Sequence, residues 1–139
     1  MYSVTQEIQV RYAETDQMGI VYHANYLVWF ELGRTQLIDS LGFSYASMEK
    51  DHISAPVIDL TASYKKPVRY GEKPTIKTWV EAYDGLRVTY GYLIENESHD
   101  TCVEGQTVHV CVRKDSFQPI LLRKHLPELH EAYEKVKKR

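Results

Sequence analysis

Residues 23–41, HANYLVWFELGRTQLIDSL, are where the period of the chain changes from two to that of a helix. Leu27, Phe30, Leu37, Ile38 and Leu41 fall on one face at offsets of three and four, and Val28 and Trp29 widen the apolar arc. A helix this apolar must be covered on most sides. Gly42 follows as a stop, since glycine enters the left-handed cap at little steric cost. The spacing therefore predicts one long helix from about His23 to Leu41, with a short helical turn over Tyr45 to Lys50.

The flanking sequence alternates. Thr5 to Tyr12 places Ile8, Val10 and Tyr12 on one face and Glu7, Gln9 and Arg11 on the other, the pattern of a half-buried strand. Ala13 to Gly19 and Asp51 to Ser54 read as loops. Four further strands are predicted at Ala55 to Lys66, Thr75 to Tyr83, Arg87 to Glu95 and Thr101 to Lys114. Asp84-Gly85 is a hairpin signal, because tight hairpin turns need positive φ, and Asn96 to Asp100 is a looser connection. Gly91 and Gly105 inside strands suggest bulges or the close approach of another backbone. Leu126 to Val136, beyond Pro119, forms a terminal helix with a basic, solvated end. The predicted class is α+β. One antiparallel sheet of five strands must bury one long helix, and a curved sheet wrapped around that helix does so economically.

The length of 139 residues fits a single domain, 1–139, with 43% hydrophobic and 26% charged residues. A net charge of −2 argues against nucleic-acid binding, which needs a basic excess. Cys102 and Cys111 are nine apart, so on one strand they would face opposite ways and could not bridge. With no signal peptide and no apolar run long enough to span a bilayer, the sequence points to a soluble cytoplasmic protein. Eleven Tyr stand against three Phe. Either a half-wet interface or cleft uses their polar tips, or a β-rich chain uses them as strand formers.

Several chemistries lack their motifs: there is no G-x-S-x-G, no Walker loop and no G-x-G-x-x-G. No histidines stand at metal-ligand spacing, so no metal is expected. The informative segment is Arg11 to Arg34, RYAETDQMGIVYHANYLVWFELGR. Asp16 lies in a loop, and His23 lies seven residues later at the predicted helix start. A helix start presents unpaired N–H groups that can polarise a carbonyl. One loop would thus place a carboxylate beside an electrophile clamp; the plainer alternative is that Thr15-Asp16 makes a turn and His23 packs at the helix end. Glu31 falls on the apolar helix face. It is expected to be buried and bridged to Arg34, three residues on, or bridged across a dimer, with a catalytic carboxylate as the alternative.

The run Tyr12-x-Glu14-Thr15-Asp16-x-x-Gly19-Ile20-Val21-Tyr22-His23-x-Asn25-Tyr26, with Phe30-Glu31-x-Gly33-Arg34 after it, resembles the acyl-CoA thioesterases of the 4-hydroxybenzoyl-CoA thioesterase family, in the branch associated with the Tol–Pal gene cluster. The resemblance implies the hotdog fold, subunits paired as a homodimer or homotetramer, active sites at the subunit interface and no cofactor. It places the family's catalytic aspartate on Asp16 and the carbonyl-polarising N–H on His23. Tyr12 falls on the site-lining tyrosine, and Gly19, Tyr22 and Tyr26 belong to the same motif and are taken as substrate-binding.

This chemistry suits a thioester, whose thiolate leaves readily, so that carbonyl polarisation and a base or nucleophile suffice. Asp16 can fill either role. The phosphates of CoA would be met by Lys65, Lys66, Arg69 and Arg87, which fall at strand ends or turns. A hotdog hydratase or dehydratase is one rival, but those relatives place a His–acid pair differently. A protein that holds acyl-CoA or acyl carrier protein without turnover is another, and the intact Asp16 argues against it. Dihydroxynaphthoyl-CoA is a further substrate within the resemblance.

Overall fold

The computed structural model describes residues 1–139. The elements run β1 (Val4–Glu7), α1 (Asn25–Ser40), α2 (Tyr45–Lys50), β2 (Ile53–Ser54), β3 (Val57–Tyr64), β4 (Thr75–Tyr83), β5 (Arg87–Glu95), β6 (Thr101–Val110), β7 (Val112–Arg113), α3 (Leu122–His125) and α4 (Pro127–Val136). Five strands form one antiparallel sheet in the order β1-β4-β5-β6-β3, and β2 and β7 form a second, two-stranded sheet. The meander β4-β5-β6 follows the predicted pairing, with β1 and β3 added at its edges.

Period-two alternation directs one face of each central strand at α1. Ile76, Thr78 and Val80 of β4 are fully buried. Phe30 of α1 stacks on Tyr92 of β5 with ring centroids 4.2 Å apart. It also lies on Gly105 of β6, where a Cβ would fall 2.6 Å from the ring. Gly33 performs the same service one turn on, where a Cβ would collide with Thr78 Oγ1. Gly91 instead makes room for a side chain, the Trp79 indole, rather than for another backbone. One cluster of 25 buried residues joins α1, the sheet and α4.

Several boundaries differ from the sequence expectation. β1 ends at Glu7, because Ile8 N–H donates to Pro74 C=O and proline has no N–H to continue the ladder. Ile8 and Val10 are still buried, but Tyr12 turns outward into a 3₁₀ turn over Tyr12–Glu14 and is 78% exposed. The predicted last strand breaks at Cys111. β5 begins at Arg87, opposite Val110, so β6 has no neighbour beyond that point, and the chain pairs instead with β2 in the segment expected to be loop. This break leaves both cysteines in the same core, free and buried. The β4–β5 connection is Asp84-Gly85-Leu86, with Asp84 Oδ1 accepting from the N–H groups of Leu86 and Arg87.

The tyrosines divide between the two expected roles. Tyr26, Tyr83, Tyr90, Tyr92 and Tyr133 are buried, and each hydroxyl has a partner: Val68 N–H, His130, Tyr133, Thr107 and Tyr90 respectively. Tyr12, Tyr22, Tyr64 and Tyr70 are exposed. Among the exposed large apolar residues are Val57, Ile58 and Leu60 of β3, an edge strand with no neighbour on its outer side.

Candidate active site

The segment from Glu14 to Asn25 forms a closed loop feeding into α1. Asp16 N–H donates to Ile20 C=O at 2.8 Å, and Gly19 N–H donates to Asp16 C=O at 3.0 Å. Gly19 sits at φ +78°, a conformation that favours glycine, so its role is to close this turn. Met18 N–H donates to Asp16 Oδ1 at 2.8 Å. That bond orients the carboxylate and leaves Oδ2 without a protein partner.

The helix starts two residues later than predicted. Asn25 N–H donates to Tyr22 C=O at 2.8 Å, so residues 22–25 make a turn and α1 begins at Asn25. His23 and Ala24 occupy the middle of that turn, and neither N–H has a partner in the chain. The unpaired donors expected of a helix start are therefore present, on two consecutive residues.

A cavity of about 490 Å³ lies against this turn, and Asp16, His23, Tyr26, Tyr64, Lys65 and Lys66 all line it. Its walls are aromatic. Tyr64 meets His23 edge-on at 6.0 Å and lies 5.7 Å from Tyr26. Burial pushes the Tyr26 phenol above its usual range, with the Val68 N–H acting the other way, so at neutral pH its hydroxyl stays protonated. Lys66 pairs with Asp100 at 3.0 Å, while Lys65 has no ion-pair partner.

The structure brings together only part of the expected set. Tyr12 and Tyr22 lie outside this cavity, Tyr12 packing edge-on against Tyr70 at 5.6 Å and Tyr22 against His23 at 4.5 Å. Arg69 is exposed beyond the cavity, its N–H held by Glu72. Arg87 is at the wrong end of the sheet. It pairs with Val110, whereas Tyr64 pairs with Val103, and seven residues of strand put these roughly 23 Å apart. The expectation for Glu31 is also corrected. It is exposed and makes no ion pair with Arg34, because the covered face of α1 is that of Tyr26, Trp29, Phe30, Gly33, Leu37 and Ile38. Arg34 instead lies near Tyr45 and Tyr92.

Two residues of the site were missed. Tyr64 sits at the end of an alternating strand, where nothing local marks it as a wall of this cavity. Glu14, passed over as one more polar loop residue, is the buried carboxylate of the chain at 4% exposure. Its spacing from Arg11, three residues, at which a glutamate side chain can reach back to the N–H that opens the turn, is the signal that could have revealed it.

Residues 10–131 match the Thioesterase-like superfamily. The chain belongs to that family, and its fold is the hotdog fold. It is 54% identical over 138 residues to YneP of Bacillus subtilis (strain 168), which is named as a candidate acyl-CoA thioesterase, covering 99% of this chain and 100% of that protein. It is 27% identical to the acyl-CoA thioester hydrolase YbgC of Escherichia coli O157:H7, covering 86% of this chain and 89% of the other. The crystal structure of the DHNA-CoA thioesterase from Staphylococcus aureus superposes with a TM-score of 0.94 at 50% identity, covering 97% of this chain and 91% of that one.

Proposed function

We propose that the chain hydrolyses acyl-CoA thioesters to the free acid and CoA, and that a dihydroxynaphthoyl-type aromatic thioester is its substrate. The observation that carries this reading is one cavity lined by a carboxylate with a free oxygen, by His23 from the turn whose N–H groups are unpaired, and by two lysines.

In this scheme the thioester carbonyl oxygen points at the N–H groups of His23 and Ala24, which stabilise the charge that develops on it. Asp16 Oδ2 attacks the carbonyl carbon, or removes a proton from a water that does so. CoA leaves as the thiolate; on the first route water then cleaves the mixed anhydride formed on Asp16 to release the acid, and on the second the proton taken up by Asp16 passes to the departing thiolate. Tyr26 and Tyr64 offer flat apolar walls to an aromatic acyl group. Lys65 and Lys66, with Arg69 beyond them, meet the phosphates of CoA. Tyr12 and Tyr22, both exposed, are assigned to walls that a second subunit completes.

The loop motif resembles the branch associated with the Tol–Pal gene cluster. Identity is higher to the DHNA-CoA thioesterase, 50% against 27% for YbgC, which favours the dihydroxynaphthoyl branch. The exposed edge strand β3 supports assembly as a homodimer or homotetramer, with the site at the interface. A stable, active monomer in sedimentation would contradict that assembly. No helix is long and apolar enough to cross a membrane, and both cysteines are free, which together support a cytoplasmic assignment.

A thiol-release assay over short, long and aromatic acyl-CoAs tests the activity. Turnover is expected to be highest on the dihydroxynaphthoyl or a simpler aromatic thioester. Binding of acyl-CoA without release of thiol would overturn the enzymatic reading.

A further inference from the structure

Glu14 is buried, yet the proposed chemistry makes no use of its carboxylate. Its Oε1 accepts Arg11 N–H at 2.8 Å. Its Oε2 accepts the Trp29 indole N–H at 3.0 Å, with the Arg11 guanidinium more distant at 3.4 Å. The main-chain oxygen of the same residue accepts Tyr22 N–H at 2.9 Å and Asn25 Nδ2–H at 2.8 Å. Each partner has a telling place. Tyr22 immediately precedes His23, Asn25 is the first residue of α1, and Trp29 lies one turn further along it. Asp16 lies two residues after Glu14.

Stability alone does not account for this arrangement. The Arg11 side chain is 70% exposed, and a pair with so wet a partner contributes little. A buried carboxylate is costly unless its oxygens are met, and an apolar residue of similar volume often serves the core as well. What an apolar residue cannot do is accept N–H groups from two segments at once. Burial by itself pushes the carboxyl upward, but the Arg11 N–H, the Trp29 N–H and the Arg11 charge outweigh it and hold Glu14 below its ordinary range. It is thus an acceptor at both oxygens at neutral pH.

We propose that Glu14 is the positioning residue of this site: through its carboxylate and its carbonyl it clamps the Asp16 loop to the first turn of α1, so that the Asp16 carboxylate and the N–H groups of His23 and Ala24 keep one fixed separation. The inference rests on the roles proposed above for Asp16 and the turn. It assigns the family's loop geometry in this chain to a group that touches no substrate. Reacting groups misplaced by about 1 Å lose on the order of 10² in rate, so a clamp of this kind acts on kcat rather than on binding.

Glu14→Gln separates the clamp from simple packing. A carboxamide fills the same volume but offers one acceptor and one donor, so its NH₂ must oppose either the Arg11 N–H or the Trp29 indole N–H. At a temperature well below the melting transition, Glu14→Gln is expected to lower kcat on the order of 10², with KM on an aromatic acyl-CoA changed less than about threefold. Trp29→Phe removes the opposing donor and one strut of the clamp; alone it should lower kcat about tenfold, with KM again unmoved. In the double variant the amide can turn its NH₂ to the vacated side, so Glu14→Gln/Trp29→Phe should turn over about tenfold faster than Glu14→Gln alone, a coupling that independent packing defects do not produce.

Wild-type kcat in folded Glu14→Gln, or additive losses in the double variant, would overturn the clamp. If Glu14→Gln does not fold, Trp29→Phe decides, and unchanged kcat there is equally contrary. Asp16→Asn is assayed alongside: its full activity would instead refute the catalytic reading on which the clamp depends.

Discussion

The Tyr64 hydroxyl, at the end of β3, donates to the main-chain carbonyl of His23 at 3.3 Å across 41 residues of sequence. That carbonyl and the unpaired N–H of Ala24 belong to one peptide unit. Because the peptide is planar, a bond to the oxygen also fixes the direction in which the N–H points. Tyr64→Phe keeps the aromatic wall and removes this bond. A neutral hydrogen bond contributes about 1 kcal/mol, so kcat/KM should fall roughly fivefold. Tyr64→Ala should add a rise in KM for aromatic acyl-CoAs. Steady-state kinetics on one aromatic and one short acyl-CoA check both effects, and an equal effect on the two substrates would leave the wall unsupported.

Lys65 and Lys66 line the same cavity but are not equivalent. Lys66 already shares its charge with Asp100, which that contact holds below its usual carboxylate range. Lys65→Ala is therefore expected to raise KM for CoA thioesters several-fold, by about 1 kcal/mol for a charged contact to phosphate, and Lys66→Ala less. Both effects should shrink in high salt, where the screening length falls to about 3 Å. Measuring KM with matched CoA and pantetheine thioesters isolates the phosphates. A Lys65→Ala effect of the same size on pantetheine thioesters would remove this residue from phosphate recognition.

His109 gives stability a pH signature of its own. Its Nδ1 meets Ala55 C=O at 3.0 Å and its Nε2 meets Thr107 Oγ1 at 2.9 Å, while Tyr92 bonds to the same Thr107 oxygen. A neutral ring satisfies this chain, with Nδ1–H donating and Nε2 accepting. Burial lowers the imidazole to about 4, the Ala55 carbonyl opposing this and the Arg34 charge adding to it. Between the ordinary value near 6.5 and that lowered value, the unfolded chain binds a proton that the folded chain refuses. Stability is thus full above about pH 6.5 and falls as the pH drops towards 4, by up to about 3 kcal/mol. Below that range the depressed carboxylates of Glu14 and Asp84 extend the loss. Urea denaturation between pH 4 and 7 should show a shallower slope for His109→Gln than for wild type. Parallel slopes would mean that His109 is not the group responsible.

The meander was legible because Thr75 to Tyr83 and Arg87 to Glu95 alternate over most of their length, and both strands occupy those residues, although the register shift between Val80 and Ala82 left no local mark. The long helix was legible because Phe30, Leu37 and Ile38 share one face. Its use of Glu31 was misjudged, since a wide apolar arc does not say which of its margins the sheet covers. Val28 and Leu32, on the same side as Glu31, are also exposed, and the buried stripe runs through Trp29 and Gly33. The ends of β1 and β6 depended on partner strands far along the chain, at Pro74 and Arg87, and no local pattern carries that information. For the site, Asp16 and His23 came from one contiguous motif. Tyr64, Lys65 and Lys66 share their cavity, but Arg87 does not, because proximity of strand ends is a property of register.

The central claim is that Asp16 supplies the carboxylate for thioester hydrolysis while the turn at His23 and Ala24 supplies the oxyanion donors. Asp16→Asn tests it most directly, since the side-chain oxygen can still accept from Met18 N–H and the main-chain donors are untouched. The loss of a base or nucleophile should lower kcat by on the order of 10²–10⁴, with the affinity for a non-hydrolysable acyl-CoA analogue and the melting temperature close to wild type. If Asp16→Asn retained more than about a tenth of wild-type turnover, far above the loss expected for such a group, the claim would be contradicted and the exposed Glu31 of α1 would be the carboxylate to examine next.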